Sequence, residues 1–195
     1  NLAMRPEHVD KAEDLIAQSD VVISQFEVPL EAVTRAMECG REHGALTILN
    51  PAPAQSIADT DQLANVDLMT PNETEARILL GLQPDDPTPT PDLARQLLDL
   101  GVREVVVTLG ANGALIATEK STTTHIPAPT VNPLDVTGAG DSFNAALAVG
   151  LGQGQELRDA VETACYAGAY CATHLGVVDG LPTQDQLDSF RESAD

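Results

Sequence analysis

The stretch that decides the fold is Asp135-Val136-Thr137-Gly138-Ala139-Gly140-Asp141-Ser142-Phe143-Asn144, which the apolar run 145–151 follows. Glycines followed by helix-forming residues predict a turn that leads directly into a helix. The first turn of a helix presents unpaired backbone N–H groups and the positive end of the helix dipole, so it attracts anions. Asp141 falls at this end of the predicted helix, where a base would meet a bound phosphate group.

The same pattern also has a purely structural interpretation. A glycine-rich turn with an aspartate near a helix start can be an ordinary cap. The stretch lacks the Gly-Lys-Ser/Thr ending of a Walker A loop and the three glycines of the dinucleotide-binding fingerprint. Taken alone, it leaves two hypotheses open, a nucleotide-dependent phosphotransferase and a cap.

Size and composition predict one globular domain. The chain has 195 residues, of which 43% are apolar and only 3% aromatic, so Val, Leu, Ile and Ala must build the core. No segment approaches the roughly 20 apolar residues of a membrane span. Cys39, Cys165 and Cys171 are odd in number and lack metal-site spacing, which favours a reducing cytoplasm.

The charge of the chain is strongly negative. Its 30 acidic and 10 basic residues give a net charge of −20, so we expect neither nucleic acid nor an anionic membrane as a partner. A free nucleotide would also be repelled, and its binding would require Mg²⁺ and backbone N–H groups as local compensation. Two explanations of the acidic surface stay open, general solubility and adaptation to high salt.

Apolar, β-branched runs bounded by turn residues predict buried strands, and helical patterns lie between them. This alternation predicts βαβ units and a mostly parallel sheet with helices on both faces. The predicted strands are 21–26, 46–49, 66–70 and 105–109, with a hairpin formed by 114–117 and 122–126. The predicted helices are 5–19, 29–43, 72–80, 91–100, 139–151, 157–174 and 183–192.

Polar or glycine-bearing segments follow several of these strands. Ligands of parallel sheets bind beyond the carboxyl ends of the strands. Asn72 could simply cap the next helix, with Glu75 completing a capping box. Five such segments at one sheet edge nevertheless favour a binding site, and they are 25–29, 50–54, 70–75, 108–113 and 137–141.

Together these segments resemble the ribokinase family of PfkB-type carbohydrate kinases. The resemblance rests on Asn50-Pro51-Ala52-Pro53-Ala54, Thr70-Pro71-Asn72-Glu73-Thr74-Glu75-Ala76, Thr108-Leu109-Gly110 and the stretch 135–144, which occur in the order and spacing of the family. It implies an α/β, three-layer, Rossmann-like fold, with residues 1–195 as a single kinase domain. Because family members are longer, it also implies that the N-terminal strands and a small β-sheet lid are missing, which would expose a sheet edge.

The resemblance further implies transfer of the γ-phosphate of ATP to the primary hydroxyl of ribose, with Mg²⁺ as cofactor. Asp141 would be the general base and would touch the sugar. Gly138, Ala139 and Gly140 would form the anion hole that stabilises charge on the transferred phosphate. The remaining matches are Asn72, Thr108, Gly110, Gly113 and Gly140 for ATP, Glu75 for Mg²⁺ through water, and Glu27 for the sugar.

The family also carries a monovalent-cation site, usually for K⁺, beside the anion hole. Asp135 is the strongest candidate ligand because it offers an anionic oxygen. His174 stands where the family often has Arg, and Gly180 where it often has Ser. The matching positions are Asp135, Thr137, Cys171, His174, Gly176 and Gly180.

Several alternatives stay open beside a ribose kinase. One is another kinase of the family, acting on fructose, 2-keto-3-deoxygluconate or adenosine. A second is a non-catalytic remnant that binds nucleotide, and a third is an acidic interaction domain in which the glycine-rich turn is only a cap. Because the lid of the family often forms a dimer contact, a homodimer of the full-length protein is a further expectation.

Overall fold

The computed structural model describes residues 1–56, 60–119 and 123–194. The chain divides into two compact units. The first unit comprises Asn1–Val107 and Leu115–Thr124, and the second comprises Thr108–Ala114 and His125–Asp195.

The strands of the described residues form one mixed sheet in the order β1-β2-β3-β4-β5-β6. They are β1 (Val21–Gln25), β2 (Leu46–Asn50), β3 (Leu68–Met69), β4 (Glu104–Thr108), β5 (Ala114–Thr118) and β6 (Thr124–Ile126). The helices are α1 (Pro6–Asp10), α2 (Glu13–Ile16), α3 (Leu30–Glu42), α4 (Glu73–Leu79), α5 (Thr90–Leu98), α6 (Ala139–Gly152), α7 (Leu157–Ala172), α8 (Val177–Gly180) and α9 (Gln184–Ala194).

The pairing of the first four strands confirms the predicted parallel sheet. Ile23 of β1 lies opposite Ile48 of β2, Ile48 opposite Leu68 of β3, and Leu68 opposite Glu104 of β4, all in parallel pairs. Because parallel strands run in one direction, their carboxyl ends meet at one edge of the sheet. β1 is an edge strand of the described sheet, and its Ile23 is 43% exposed.

Two predicted elements differ from the observed ones. The predicted helix 5–19 is two short helices, α1 and α2, interrupted at Ala12, where φ is −99° and ψ is 5°. Both pieces contact α3, through an ion pair of 2.7 Å between Arg35 and Asp10 and a hydrogen bond of 3.1 Å between His43 and Glu13. Tertiary contacts therefore override a helical pattern. The predicted strand 122–126 is shorter in the structure, where β6 begins at Thr124; Thr123 precedes the strand, and Thr122 lies outside the described residues.

Aliphatic side chains build the core of the first unit, as the shortage of aromatic residues predicts. Val33 and Met37 on α3 are buried, and α3 packs on β1 and β2. A Cβ at Gly40 would lie 3.0 Å from the Val22 side chain, so this glycine permits the close approach of helix and strand. The strands contribute fully buried residues, among them Ile48, Leu68, Val105, Val106 and Val107.

Asp67 ties together the amino ends of three strands in the first unit. Its Oδ1 forms ion pairs with Arg41 and Arg103 at 3.1 and 3.2 Å, and its Oδ2 accepts hydrogen bonds from the Thr47 backbone N–H at 3.1 Å and hydroxyl at 2.9 Å. Its side chain is only 14% exposed. A carboxylate this buried needs such partners, and these cations and donors satisfy both of its oxygens.

The second unit is built around the packing of α6 against α7. Phe143 and Leu147 of α6 and Val161 of α7 are buried, and the Ser142 hydroxyl donates to the carbonyl oxygen of Ala167 at 3.0 Å. None of the helices in the described parts of the chain is long and apolar enough to span a bilayer.

Glu104 gives a test of the electrostatics in the first unit. Burial, followed by the neighbouring Asp67 carboxylate, raises the pKa of Glu104 above its ordinary value of 4.5. The carboxyl group of Glu104 therefore stays protonated to a higher pH in the folded state than in the unfolded state. The stability that this protonation contributes is lost as pH rises through the folded pKa. We expect Glu104→Gln to raise the free energy of unfolding at neutral pH by less than about 1 kcal/mol, since the carboxyl group is only half-buried.

Urea unfolding at neutral and at acid pH measures this difference. The exposed neighbour Glu119 supplies the matched control, and Glu119→Gln should leave the neutral-pH value nearly unchanged. A stabilisation by Glu104→Gln that is equally large at acid pH would contradict the electrostatic explanation.

Candidate active site

The glycine-rich turn of the second unit has the conformation that its sequence predicts. Gly138 precedes α6 with φ 81° and ψ −1°, in the left-handed region that glycine tolerates. A Cβ at this position would lie 2.8 Å from the Val177 side chain, so both backbone conformation and space require glycine. The Ser142 N–H donates to the Gly138 carbonyl oxygen at 2.8 Å. The chain therefore turns at Gly138 and begins α6 at once.

The turn leaves one backbone N–H group open at the start of α6. Ala139 N–H donates to the Val136 carbonyl oxygen at 3.2 Å, whereas no acceptor within the described residues takes the N–H of Gly140. Asp141 lies in the first turn of α6 and is exposed. An open N–H group and a carboxylate at one helix start can bind an anion and accept a proton beside it.

A cavity of about 310 Å³ lies in the second unit beside this helix start. It brings together predicted nucleotide positions and two residues of the predicted anion hole, namely Thr108, Gly110, Gly113, Ala139 and Gly140. Gly113 has φ 91°, and a Cβ there would lie 2.0 Å from the Ile126 carbonyl oxygen. Only glycine fits this wall of the cavity.

The opposite wall of the cavity comes from α7, and the sequence reasoning missed it. Cys165, Gly168, Ala169 and Ala172 line the cavity at helical spacing, together with Phe143 of α6. The available signal was a run of small residues on one face of a helix, a pattern that is also typical of ordinary helix packing. Sequence alone therefore had no means of separating a cavity wall from core.

Hydrogen bonds link several of the predicted cation positions next to the glycine-rich turn. Asp135 Oδ1 accepts from the Thr137 N–H at 2.9 Å, and its Oδ2 accepts from the Gly176 N–H at 3.2 Å. Hydrogen bonds from Thr137 and Gly176 hold the pKa of the Asp135 carboxyl below its ordinary value. The Cys171 thiol donates to the Thr137 carbonyl oxygen at 3.6 Å, and a Cβ at Gly180 would lie 2.9 Å from that sulfur.

The pKa of the Cys171 thiol is shifted by its burial and by nearby charges. Burial raises the pKa of this thiol, and the carboxylates of Asp135 and Asp141 raise it further. The predicted base and the predicted cation ligand therefore both act on one buried side chain.

The side chain of His174 differs in its surroundings from the other predicted cation positions. Its ring stacks on Tyr170 with 4.3 Å between ring centroids, and its Nδ1 lies 2.9 Å from the Tyr170 carbonyl oxygen. The His174 ring is therefore held against α7. Within the described parts of the chain, no group of three or more His, Cys, Asp or Glu side chains is arranged to hold a metal ion.

Asn72 and Glu75 form the capping box that the sequence suggested, in the first unit. Asn72 Oδ1 accepts from the Glu75 N–H at 2.9 Å, and Glu75 Oε2 accepts from the Asn72 N–H at 2.8 Å. Burial raises the pKa of Glu75, against the opposing effect of the Asn72 N–H. The cap is confirmed, and the ligand role of the two residues stays a prediction.

Other residues of the first unit extend the polar carboxyl edge of the sheet. Gln25 Nε2 donates to Asn50 Oδ1 at 2.8 Å, and Asn50 Nδ2 donates to the Thr70 carbonyl oxygen at 2.8 Å. Asn50, only 8% exposed, thus links the ends of β1, β2 and β3. The sequence reasoning quoted this asparagine without giving it a role. Glu27 is exposed in the turn after β1.

Comparison with known proteins identifies relatives over nearly the whole chain. The model of the pfkB family of carbohydrate kinases matches residues 1–184. A ribokinase of Staphylococcus aureus is 36% identical, with 96% of this chain and 62% of the relative covered. A deoxyribokinase of Salmonella typhi is 34% identical, with 97% of this chain and 62% of the relative covered. The chain thus spans about 62% of the length of these curated relatives.

Solved structures confirm the predicted fold class. The crystal structure of a ribokinase from Thermotoga maritima is 30% identical and has a TM-score of 0.85, covering 98% of this chain and 62% of that one. A ribokinase from Arabidopsis thaliana, complexed with ribose and ATP, is 24% identical and has a TM-score of 0.86. The match covers 93% of this chain and 58% of that one. The fold is an α/β, three-layer, ribokinase-like fold.

Two neighbouring glycines test the geometry of the helix start. Gly138→Ala should lower the free energy of unfolding by about 1–2 kcal/mol from the left-handed conformation alone, and the contact with Val177 adds to this loss. Gly140→Ala is the matched control, because it lies inside α6 with no atom within 4 Å of an added Cβ. It should raise stability by up to about 1 kcal/mol. Urea unfolding of both variants measures the contrast, and equal effects would refute the described turn.

Proposed function

The chain belongs to the pfkB family of carbohydrate kinases, and we propose that the protein transfers the γ-phosphate of ATP to the primary hydroxyl of ribose, giving ribose 5-phosphate. The observation that carries this proposal is the arrangement at the start of α6. A left-handed Gly138, an open Gly140 N–H and the Asp141 carboxylate lie beside a cavity of about 310 Å³. Residues 1–195 act as one kinase domain in this proposal.

Asp141 serves as the general base. Its carboxylate takes the proton of the primary hydroxyl, and the resulting oxygen attacks the γ-phosphorus as the bond to the β-phosphate oxygen breaks. General-base catalysis of this kind contributes about 10²–10⁴ in rate. The position of Asp141 in the first turn of α6 places its carboxylate near the phosphate in this proposal.

The N–H groups of the glycine turn stabilise charge on the transferred group. In phosphoryl transfer, charge spreads over the three equatorial oxygens of the phosphate. We propose Gly138, Ala139 and Gly140 as the anion hole, in which the open Gly140 N–H is fixed by the turn before the reaction, whereas the Ala139 N–H would exchange its hydrogen bond to Val136 for one to the phosphate. The left-handed Gly138 is the residue that sets the direction of these N–H groups.

The apolar cavity holds the nucleoside part of ATP. Its volume of about 310 Å³ lies within the ordinary range for small-molecule sites, about 300–1,000 Å³. Thr108, Gly110 and Gly113 form the part of the cavity wall that contacts the nucleotide in this proposal. Glycine is required at position 113 of this wall because a Cβ would lie 2.0 Å from the Ile126 carbonyl oxygen.

Mg²⁺ neutralises charge on the phosphates when it is bound. Asn72 and Glu75 fit a magnesium site reached through water, because Mg²⁺ prefers oxygen ligands and retains several waters. Their capping box fixes both side chains in position. Glu27 contacts the sugar in this proposal, together with Asp141.

Asp135 and the Thr137 carbonyl oxygen would hold a monovalent cation, K⁺, which would supply positive charge beside the anion hole. The ionised Asp135 carboxylate and the carbonyl oxygen of Thr137 are the oxygen groups that such a cation prefers. The further positions of this site are Cys171, His174, Gly176 and Gly180. A cytoplasmic location and a homodimer stay predictions.

Deoxyribose phosphorylation is the second candidate function. The deoxyribokinase of Salmonella typhi is 34% identical to this chain, nearly as similar as the ribokinase of Staphylococcus aureus at 36%. The two sugars differ by the 2-hydroxyl. Parallel assays with ribose and 2-deoxyribose decide between them.

The first test is sugar-dependent ADP release by the chain, with Mg²⁺ and K⁺ present. Asp141→Asn should lower kcat by about 10²–10⁴ and leave the dissociation constant of ATP nearly unchanged. Asp159→Asn, which alters an exposed acid in the first turn of α7, should change neither quantity. Equal loss of turnover and ATP binding in Asp141→Asn would refute the base assignment. ATP binding without release by the unaltered chain would support a nucleotide-binding remnant.

The second test replaces K⁺ with tetramethylammonium at constant ionic strength. The larger cation does not fit among the oxygen groups of Asp135 and Thr137, so the rate of ADP release should fall. Asp135→Asn should reduce this dependence on K⁺. A rate that is indifferent to the cation would remove the cation site from the proposal.

A further inference from the structure

The cavity beside α6 is unusual in what its walls lack. Within the described residues, its lining contains no charged side chain and no side-chain amide. Polar side-chain atoms come only from Thr108, Thr130 and Cys165. The side chains that a base placed here would meet are therefore almost all aliphatic or aromatic.

The thiol of Cys165 can form only weak hydrogen bonds with a ligand. Cys165 is only 4% exposed, and burial raises its pKa to about 12, with a contribution from Glu162. It therefore stays a neutral thiol, which is a poor donor and a poor acceptor. The loop 128–133 also offers fewer donors than its length suggests, since Pro129 and Pro133 have no N–H.

The chemistry of the walls sets how strongly the site can discriminate. A hydrophobic pocket separates related ligands by only about 10–200-fold, whereas a pocket that hydrogen-bonds a ligand group rejects the analogue lacking it by about 10⁴–10⁵-fold. We infer, on the premise of the proposed kinase function, that the cavity accepts the donor base by shape and apolar contact without reading its hydrogen-bonding edge. The donors are then purine nucleoside triphosphates as a class, rather than ATP alone.

The same walls favour purines over pyrimidines. Phe143, at 5% exposure, and Ala169, at 9%, present apolar surface deep in the cavity. A two-ring base buries more of that surface than a one-ring base, and apolar burial stabilises in proportion to area. The size of the base therefore matters more than its substituents.

The experiment compares kcat/KM for ATP, for purine riboside triphosphate, which lacks the 6-amino group, and for ITP, GTP and CTP. Loss of the 6-amino group should change kcat/KM by less than about tenfold, and ITP and GTP should stay within about 200-fold of ATP. CTP should be the poorest donor. A loss above about 1,000-fold with purine riboside triphosphate would overturn the inference, since it would show that the edge is read.

Direct binding separates this inference from the proposed function. If the chain binds nucleotides without sugar-dependent turnover, dissociation constants measured by calorimetry for the same series replace kcat/KM. Similar constants for ATP and purine riboside triphosphate would then support the inference while the kinase proposal fails. Failure of every nucleotide to bind would overturn both.

Cys165→Val tests the one buried polar side chain among the described residues that line the cavity. This change removes the thiol and keeps a side chain of similar size, so the ratio of ATP to purine riboside triphosphate should stay within about threefold, whatever happens to the individual constants. A thermal unfolding curve verifies that the variant folds. A shift of the ratio by more than about tenfold would assign base reading to the thiol and overturn the inference.

Discussion

The left-handed backbone at Gly138 is the constraint on which the candidate site depends. It lets the chain pass from the loop 134–137 into α6 within one residue, and the Val177 side chain occupies the space that a Cβ would need. Val177 is in turn held by its neighbour Gly176, whose N–H donates to Asp135. The Cys171 thiol adds a hydrogen bond to the Thr137 carbonyl oxygen. Each of these contacts therefore supports the direction of the N–H groups at the helix start.

This design explains how a chain with a net charge of −20 can offer a site for an anion. The second unit contains few basic side chains, and one of them, Arg191, lies over the Tyr166 ring and donates to Thr163. No Lys or Arg lines the cavity within the described residues. In the proposed site, attraction for a phosphate would thus come from backbone dipoles at close range, where the repulsion from distant acidic side chains is weakened by dissolved salt.

The sequence predicted the elements that local pattern determines. The helix predicted at 139–151 is α6, Ala139–Gly152, because glycines and an apolar run define its start and length. The break between α1 and α2 was missed because it arises from contacts with α3 rather than from local preference. The cavity wall on α7 was missed for a similar reason, since Cys165 and Ala169 differ from core residues only in what lies opposite them.

The pair Asn72 and Glu75 shows why the sequence left cap and ligand roles open. The capping box uses Oδ1 of Asn72 and Oε2 of Glu75, and within the described residues no hydrogen bond takes Nδ2 of Asn72 or Oε1 of Glu75. The same two side chains can therefore cap α4 and present further polar atoms. Burial raises the pKa of Glu75, and no basic side chain is among the influences on it. A cation near this carboxylate would offset that penalty, so the cap that fixes Glu75 also leaves it suited to a positively charged ligand.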